Sequence, residues 1–173
     1  CFTINTNPKE IMDLIKLHKL KEFALEQMKE HGLIEEGWSF VWDTKAVRRY
    51  GQCRYGDKEV GVTKKLANLN SIEESKDVVL HEIAHALTGP GHGHNLTWKR
   101  MCRKIGAKPE RCYTSEHNGG TVKTVKGKYK LINKDTGKVY RYYHRRPKHK
   151  DWSTRWMRGR RAETEGKLQV VIS

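Results

Sequence analysis

The sequence predicts an α+β fold in two parts, and three observations carry that prediction. Apolar residues recur at helical spacing behind helix-start signals at Asn7 and Ser71. Short alternating or aromatic-rich runs bounded by turn residues mark strands. The charge texture changes after Ser115: residues 1–115 hold 19 basic and 15 acidic side chains, residues 116–173 hold 16 and 5. We therefore expect a functional domain over 1–115 and a basic β-hairpin or ribbon module over 116–173.

The elements follow in order. Asn7-Pro8-Lys9-Glu10 reads as N-cap, N1 proline and N3 glutamate. Ile11, Leu14, Ile15, Leu20, Phe23, Ala24 and Met28 then continue at helical spacing to Gly32, a fitting residue just past a helix end, so a helix is expected over 8–31. Trp38–Trp42 reads as a strand. Gln52–Tyr55 and Lys58–Thr63 flank Gly56-Asp57 as a hairpin. Ser71-Ile72-Glu73-Glu74 is a capping box, and Val78, Val79, Leu80, Ile83, Ala84 and Leu87 extend the helix to Thr88, where Gly89-Pro90-Gly91 stops it. A further helix is expected over 96–105, ended by Gly106. Asn118-Gly119-Gly120 reads as a linker. Lys128–Ile132, Lys138–His144 and Lys167–Ile172 read as strands, the first two joined by a turn at Asp135-Thr136-Gly137.

The sharpest chemical feature is His81-Glu82-Ile83-Ala84-His85 on the second helix. Residues four apart share a helix face, so both imidazoles reach one Zn²⁺ ion. Glu82 stands where a general base for a zinc-activated water belongs, and the pattern points to peptide hydrolysis. Polar groups on an otherwise apolar helix are costly to bury without such a role. A catalytic zinc needs a third protein ligand. His92 and His94 follow in Gly91-His92-Gly93-His94-Asn95-Leu96-Thr97-Trp98, and Glu110 is the next carboxylate. A metzincin register would put Gly at 88 and His at 91; Thr88 and Gly91 stand there instead.

These residues resemble the SprT-like metalloproteases, which include the Spartan DNA–protein crosslink proteases. The resemblance rests on HExxH at 81–85, the glycine-rich loop at 91–93, His94 to Trp98 opening the next helix, the Trp38–Trp42 strand and Gly51-Gln52-Cys53-Arg54-Tyr55, and spans about residues 8–113. It implies a small zincin-like core of helices and a short sheet with HExxH on the central helix. It also implies metal-dependent cleavage of DNA-associated proteins, and favours His94 over His92 as third ligand. Many relatives carry a C-terminal zinc ribbon built on paired cysteines; residues 116–173 contain no cysteine, so a second zinc is not expected. The oxyanion stabiliser is not legible; Tyr50, Tyr55 and Tyr113 are the available tyrosines.

The basic tail interleaves aromatic and cationic residues. Lys128, Lys130, Arg141, Tyr143, Arg145, Arg146, Trp152, Arg155 and Trp156 are the candidate nucleic-acid contacts, within a wider set that includes Lys148 and Lys150. Cations neutralise phosphates and ring faces stack on unpaired bases, so sequence-independent DNA binding is expected, with single strands preferred.

The composition bounds the rest. The net charge of +15 favours polyanionic partners, and mean hydropathy of −0.85 is low but not that of a disordered chain. No apolar run approaches the 18 or so residues of a membrane span. Cys1, Cys53, Cys102 and Cys112 form no C-x-x-C pair, and charges at Lys9, Glu10 and Asp13 interrupt any signal-peptide core. We expect free thiols and a cytoplasmic, DNA-associated protein that is not secreted. The rival reading is a non-catalytic DNA-binding protein with a structural zinc, for which Cys102 is the nearest extra ligand in sequence.

Overall fold

The computed structural model describes residues 7–110, 122–149 and 151–173. Cys1, Cys112, Tyr113, the expected boundary at 115/116, the Asn118–Gly120 linker and Lys150 lie outside the described residues. The described residues form an α+β structure with small sheets. They divide into two compact units, the first ending at Val125 and the second starting at Lys126.

In the first unit, α1 spans Pro8–Glu30, with the Asn7 side chain accepting the Lys9 N–H. It ends in a Schellman turn: the Leu33 N–H donates to Met28 O at 2.8 Å and the Gly32 N–H to Lys29 O at 3.0 Å. Gly32 sits at φ +74°, a conformation that disfavours any residue with a Cβ. The buried stripe is Leu17, Leu20, Ala24 and Met28. Ile11, Leu14 and Ile15, which the spacing assigned to the apolar face, are exposed, because α1 meets its packing partners only from Leu17 onward.

Strands β1 (Ser39–Asp43), β2 (Gly51–Arg54) and β3 (Glu59–Thr63) form one sheet in the order β1-β3-β2. β2 and β3 make the expected antiparallel hairpin, while β1 pairs parallel to β3. A short helix that the sequence analysis missed, α2 (Lys64–Leu69), follows β3 directly and buries Leu66 and Ala67. The central helix α3 runs Ile72–Thr88 with both halves of the Ser71/Glu74 capping box formed, a device worth about 1 kcal/mol. Val78, Val79 and Ile83 meet Val60 and Val62 of β3 and the α1 stripe in the core. Helix α4 spans Leu96–Ile105 and ends at Gly106 in the left-handed conformation. A second buried cluster joins α3 to α4 through Ala84, Trp98, Cys102 and Ala107. α3 is thus covered on two sides, and its polar residues at 81, 82 and 85 face what remains.

The second unit is a three-stranded antiparallel sheet ordered β5-β4-β6, from β4 (Tyr129–Asn133), β5 (Val139–Tyr143) and β6 (Leu168–Ile172), with the one-turn helix α5 (Arg161–Thr164). Among the described residues its buried side chains are few: Leu131, Asn133, Thr164 and Leu168. Asn133 compensates for the small core. Its Oδ1 accepts the Asp135 and Thr136 N–H groups, forming the β4–β5 turn, and its Nδ2 donates to Glu163 O of α5. No described helix in either unit is long and apolar enough to cross a membrane.

Candidate metal centre

His81 and His85 lie one turn apart on α3, and His94 immediately precedes Asn95, the N-cap of α4. The Asn95 Oδ1 accepts the Thr97 and Trp98 N–H groups, which fixes the start of α4 and the approach of the loop before it. The three imidazoles converge. His81 Nε2 is 3.2 Å and His85 Nε2 3.3 Å from His94 Nε2. Trp98 is fully buried beneath them, its ring centroid 4.6 Å from those of His81 and His94 and 5.1 Å from that of His85, against which it stacks. In the sequence Trp98 is only a marker of resemblance; in the fold it is the floor that orients all three rings.

This donor set fits a metal ion. Tetrahedral coordination with nitrogens about 2.0–2.1 Å from zinc sets neighbouring nitrogens about 3.3 Å apart, close to the spacings observed. Burial, with the other two rings adding to it, lowers the His81 pKa to about 3; burial and His94 lower that of His85 to about 4. Both rings are therefore neutral near pH 7 and keep the lone pair that a metal needs. His81, His85 and His94 form a group able to bind a metal ion, and among the described residues no fourth His, Cys, Asp or Glu belongs to it. His92 stays apart, its Nδ1 3.3 Å from Asn95 Nδ2. Glu110 is exposed, and Cys102 is buried in the α3–α4 cluster.

Glu82 lies beside the triad in a cleft of about 720 Å³, which Gly51, Gln52 and Cys53 of β2, the loop residues Gly91 and Gly93, and Lys123 also line. Its side chain is 8% exposed. Burial pushes its carboxyl up to about 8, against the opposing pull of the Cys53 N–H that it accepts and of Arg49. β2 seats this side chain sterically as well. A Cβ at Gly51 would stand 2.5 Å from Glu82 Oε1 and 2.7 Å from its Cγ, closer than real contacts allow. The backbone at Gly51 is ordinary, so the glycine is required by space and not by conformation. Its place in the Gly-Gln-Cys segment was the only trace in the sequence.

The candidate oxyanion groups fare differently. The Tyr50 hydroxyl is buried against Ser75 Oγ at 2.8 Å, and burial raises its pKa to about 12. Tyr55 lines the cleft, but its hydroxyl donates to the His85 carbonyl at 3.2 Å.

In the second unit the candidate nucleic-acid residues separate. Lys130 pairs across the ladder with Tyr142, and Arg141 with Leu131, so Lys130 and Arg141 stand on opposite sheet faces. Arg146 and Trp152 share one concavity of about 730 Å³ with Lys134, Lys148, His149 and Gln169. The Tyr143 ring centroid is 6.4 Å from that of Trp152. Trp156 is elsewhere, with the Arg161 guanidinium 4.3 Å above its ring. Lys128, Arg145 and Arg155 are exposed, and Arg155 reaches His149 Nδ1 at 3.2 Å.

The fold and site define an α+β protein whose central helix and following loop hold a three-histidine group able to bind metal. The chain belongs to the SprT-like family, whose model matches residues 17–118, more than half of its length. No curated protein and no solved structure matches it.

Proposed function

We propose that the protein is a zinc-dependent metallopeptidase of SprT-like type that cleaves DNA-associated proteins. The observation that carries this reading is the convergence of His81, His85 and His94, with His94 Nε2 3.2 and 3.3 Å from the other two ring nitrogens, beside the buried Glu82 carboxyl in one open cleft. His81, His85 and His94 hold the ion, in a zincin-like arrangement. When bound, zinc supplies Lewis-acid activation of water and of the scissile carbonyl, and its charge favours the ionised form of Glu82. Glu82 acts as general base, taking the proton of the attacking water at a carboxylate oxygen and returning it to the leaving nitrogen. The Cys53 N–H and the open face of Gly51 hold that carboxylate in register for both transfers. Trp98 keeps the imidazoles from turning away.

The second unit, in this reading, brings the enzyme to its substrates by binding DNA without sequence preference. The Arg146–Trp152 concavity supports this, since it puts cations beside an indole of intermediate exposure. Glu82→Gln should retain one zinc per chain and lower the cleavage rate of a DNA-bound protein by at least about a hundredfold. Cleavage at the wild-type rate would remove Glu82 from its role.

A further inference from the structure

The cleft has a wall that the family match does not reach. Val122, Lys123 and Thr124 line it together with His81, Glu82, His85 and His94, although the matched region ends at residue 118. This segment is built in. Val122 is 7% exposed and belongs to the core cluster of the first unit. Asn70, 5% exposed at the end of α2, fixes Lys123 through both of its backbone groups. Lys123 N–H donates to Asn70 Oδ1 at 2.5 Å, and Asn70 Nδ2 donates to Lys123 O at 2.9 Å. The same Nδ2 also donates to Leu66 O at 2.8 Å, which ties the pairing to α2. One buried amide thus holds Lys123 much as a neighbouring strand would, and the lysine side chain is left exposed at the cleft.

Among the described residues, the exposed charged side chains that line this cleft are cationic. Arg48 and Arg49 line it as well. Arg49 is paired with Asp43 at 2.8 Å. Among the described residues neither Arg48 nor Lys123 has an ion pair, and the only carboxylate lining the cleft is the buried Glu82. A concave site with low-dielectric walls focuses such a field onto whatever enters it. The lining aromatics, Tyr50 and Tyr55, have their hydroxyls bonded to Ser75 and to His85 O. Tyr50 is also only 7% exposed and the Tyr55 ring packs edge-on against Trp38 at 6.3 Å, so neither ring stands free in the cleft as a platform for an unpaired base.

We propose that the Val122–Thr124 wall, positioned by Asn70, acts with Arg48 to select polypeptide segments bearing acidic side chains next to the scissile bond. The proposal rests on the peptidase reading for its reaction, but binding alone tests it. The full-length Glu82→Gln protein is titrated with two fluorescein-labelled peptides of one sequence, carrying either Asp and Glu or Lys and Arg around the central dipeptide. Two exposed ion pairs predict about two- to thirtyfold tighter binding of the acidic peptide, shrinking as salt is raised. Lys123→Glu with Arg48→Glu should invert the preference. Asn70→Ala should weaken it with metal content unchanged, because it frees the wall without touching the triad. Equal affinity for both peptides, or a preference that survives the double charge reversal, would overturn the proposal. So would displacement of the acidic peptide by oligo(dT) that depends on Lys123, since the cleft would then serve nucleic acid. No preference in Glu82→Gln while the wild-type protein cleaves sinks this proposal alone; a preference that is present in a wild-type protein that neither holds metal nor cleaves sinks the peptidase reading instead.

Discussion

The two units use histidine, aromatic and cationic residues in opposite ways. In the first, His81, His85 and His94 are packed against a buried tryptophan on capped helices, and a glycine and a backbone N–H hold Glu82. In the second, a core of a few residues carries a coat of exposed cations, and its rings are shared among internal contacts. The contrast separates two kinds of function. Chemistry at one point needs groups held to a fraction of an ångström, whereas attraction to a polyanion tolerates dispersed charge.

Gly51→Ala breaks the rigid side of this comparison. It should destabilise the protein by about 1–3 kcal/mol, the usual cost of overpacking a filled site. In a Glu82→Ala background the same change should cost under about 0.5 kcal/mol, because the clashing carboxylate is gone. Urea unfolding of the four proteins measures the cycle, and additive effects would mean that Gly51 does not seat Glu82.

The dispersed side is sharpened by its two indoles, Trp152 half-buried and Trp156 exposed. Trp152→Ala should weaken single-stranded DNA binding by about 1 kcal/mol, roughly fivefold, in a fluorescence titration. Trp156→Ala should leave it nearly unchanged, because the Arg161 guanidinium already covers that ring. Equal losses would show that the concavity is not the preferred surface.

The smallest effect concerns the loop that carries Arg48 and Arg49. The Ala46 N–H, with Arg49 and the Lys45 N–H, holds the Asp43 carboxyl at about 2, below its ordinary 3.8. A depressed folded-state value stabilises the protein above about pH 4, and that contribution is lost as pH falls through 2. The stability advantage of wild type over Asp43→Asn, measured by urea unfolding, should therefore narrow between pH 4 and pH 2. A gap that stays constant over that range would contradict the loop's anchoring.

What was legible in the chain was what is local. The Ser71 capping box, Gly32 and the i, i+4 histidines of α3 depend on neighbours within one or two helical turns, and α4 was read from its stop at Gly106, its Asn95 cap emerging only in the fold. What escaped depends on distant contacts. The parallel pairing of β1 with β3, the hold of Asn70 on Lys123 and the place of Trp98 under three imidazoles have no short-range signature. Lys130 and Arg141 separated onto two faces because cross-strand register, Lys130 opposite Tyr142 and Arg141 opposite Leu131, decides where each side chain points.

The central claim is that His81, His85 and His94 hold one zinc ion, and metal content tests it most directly. Purified wild-type protein and His92→Ala should each carry about one zinc per chain, while His94→Ala should carry far less at the same folded fraction. Zinc retained in His94→Ala but lost in His92→Ala would contradict the account.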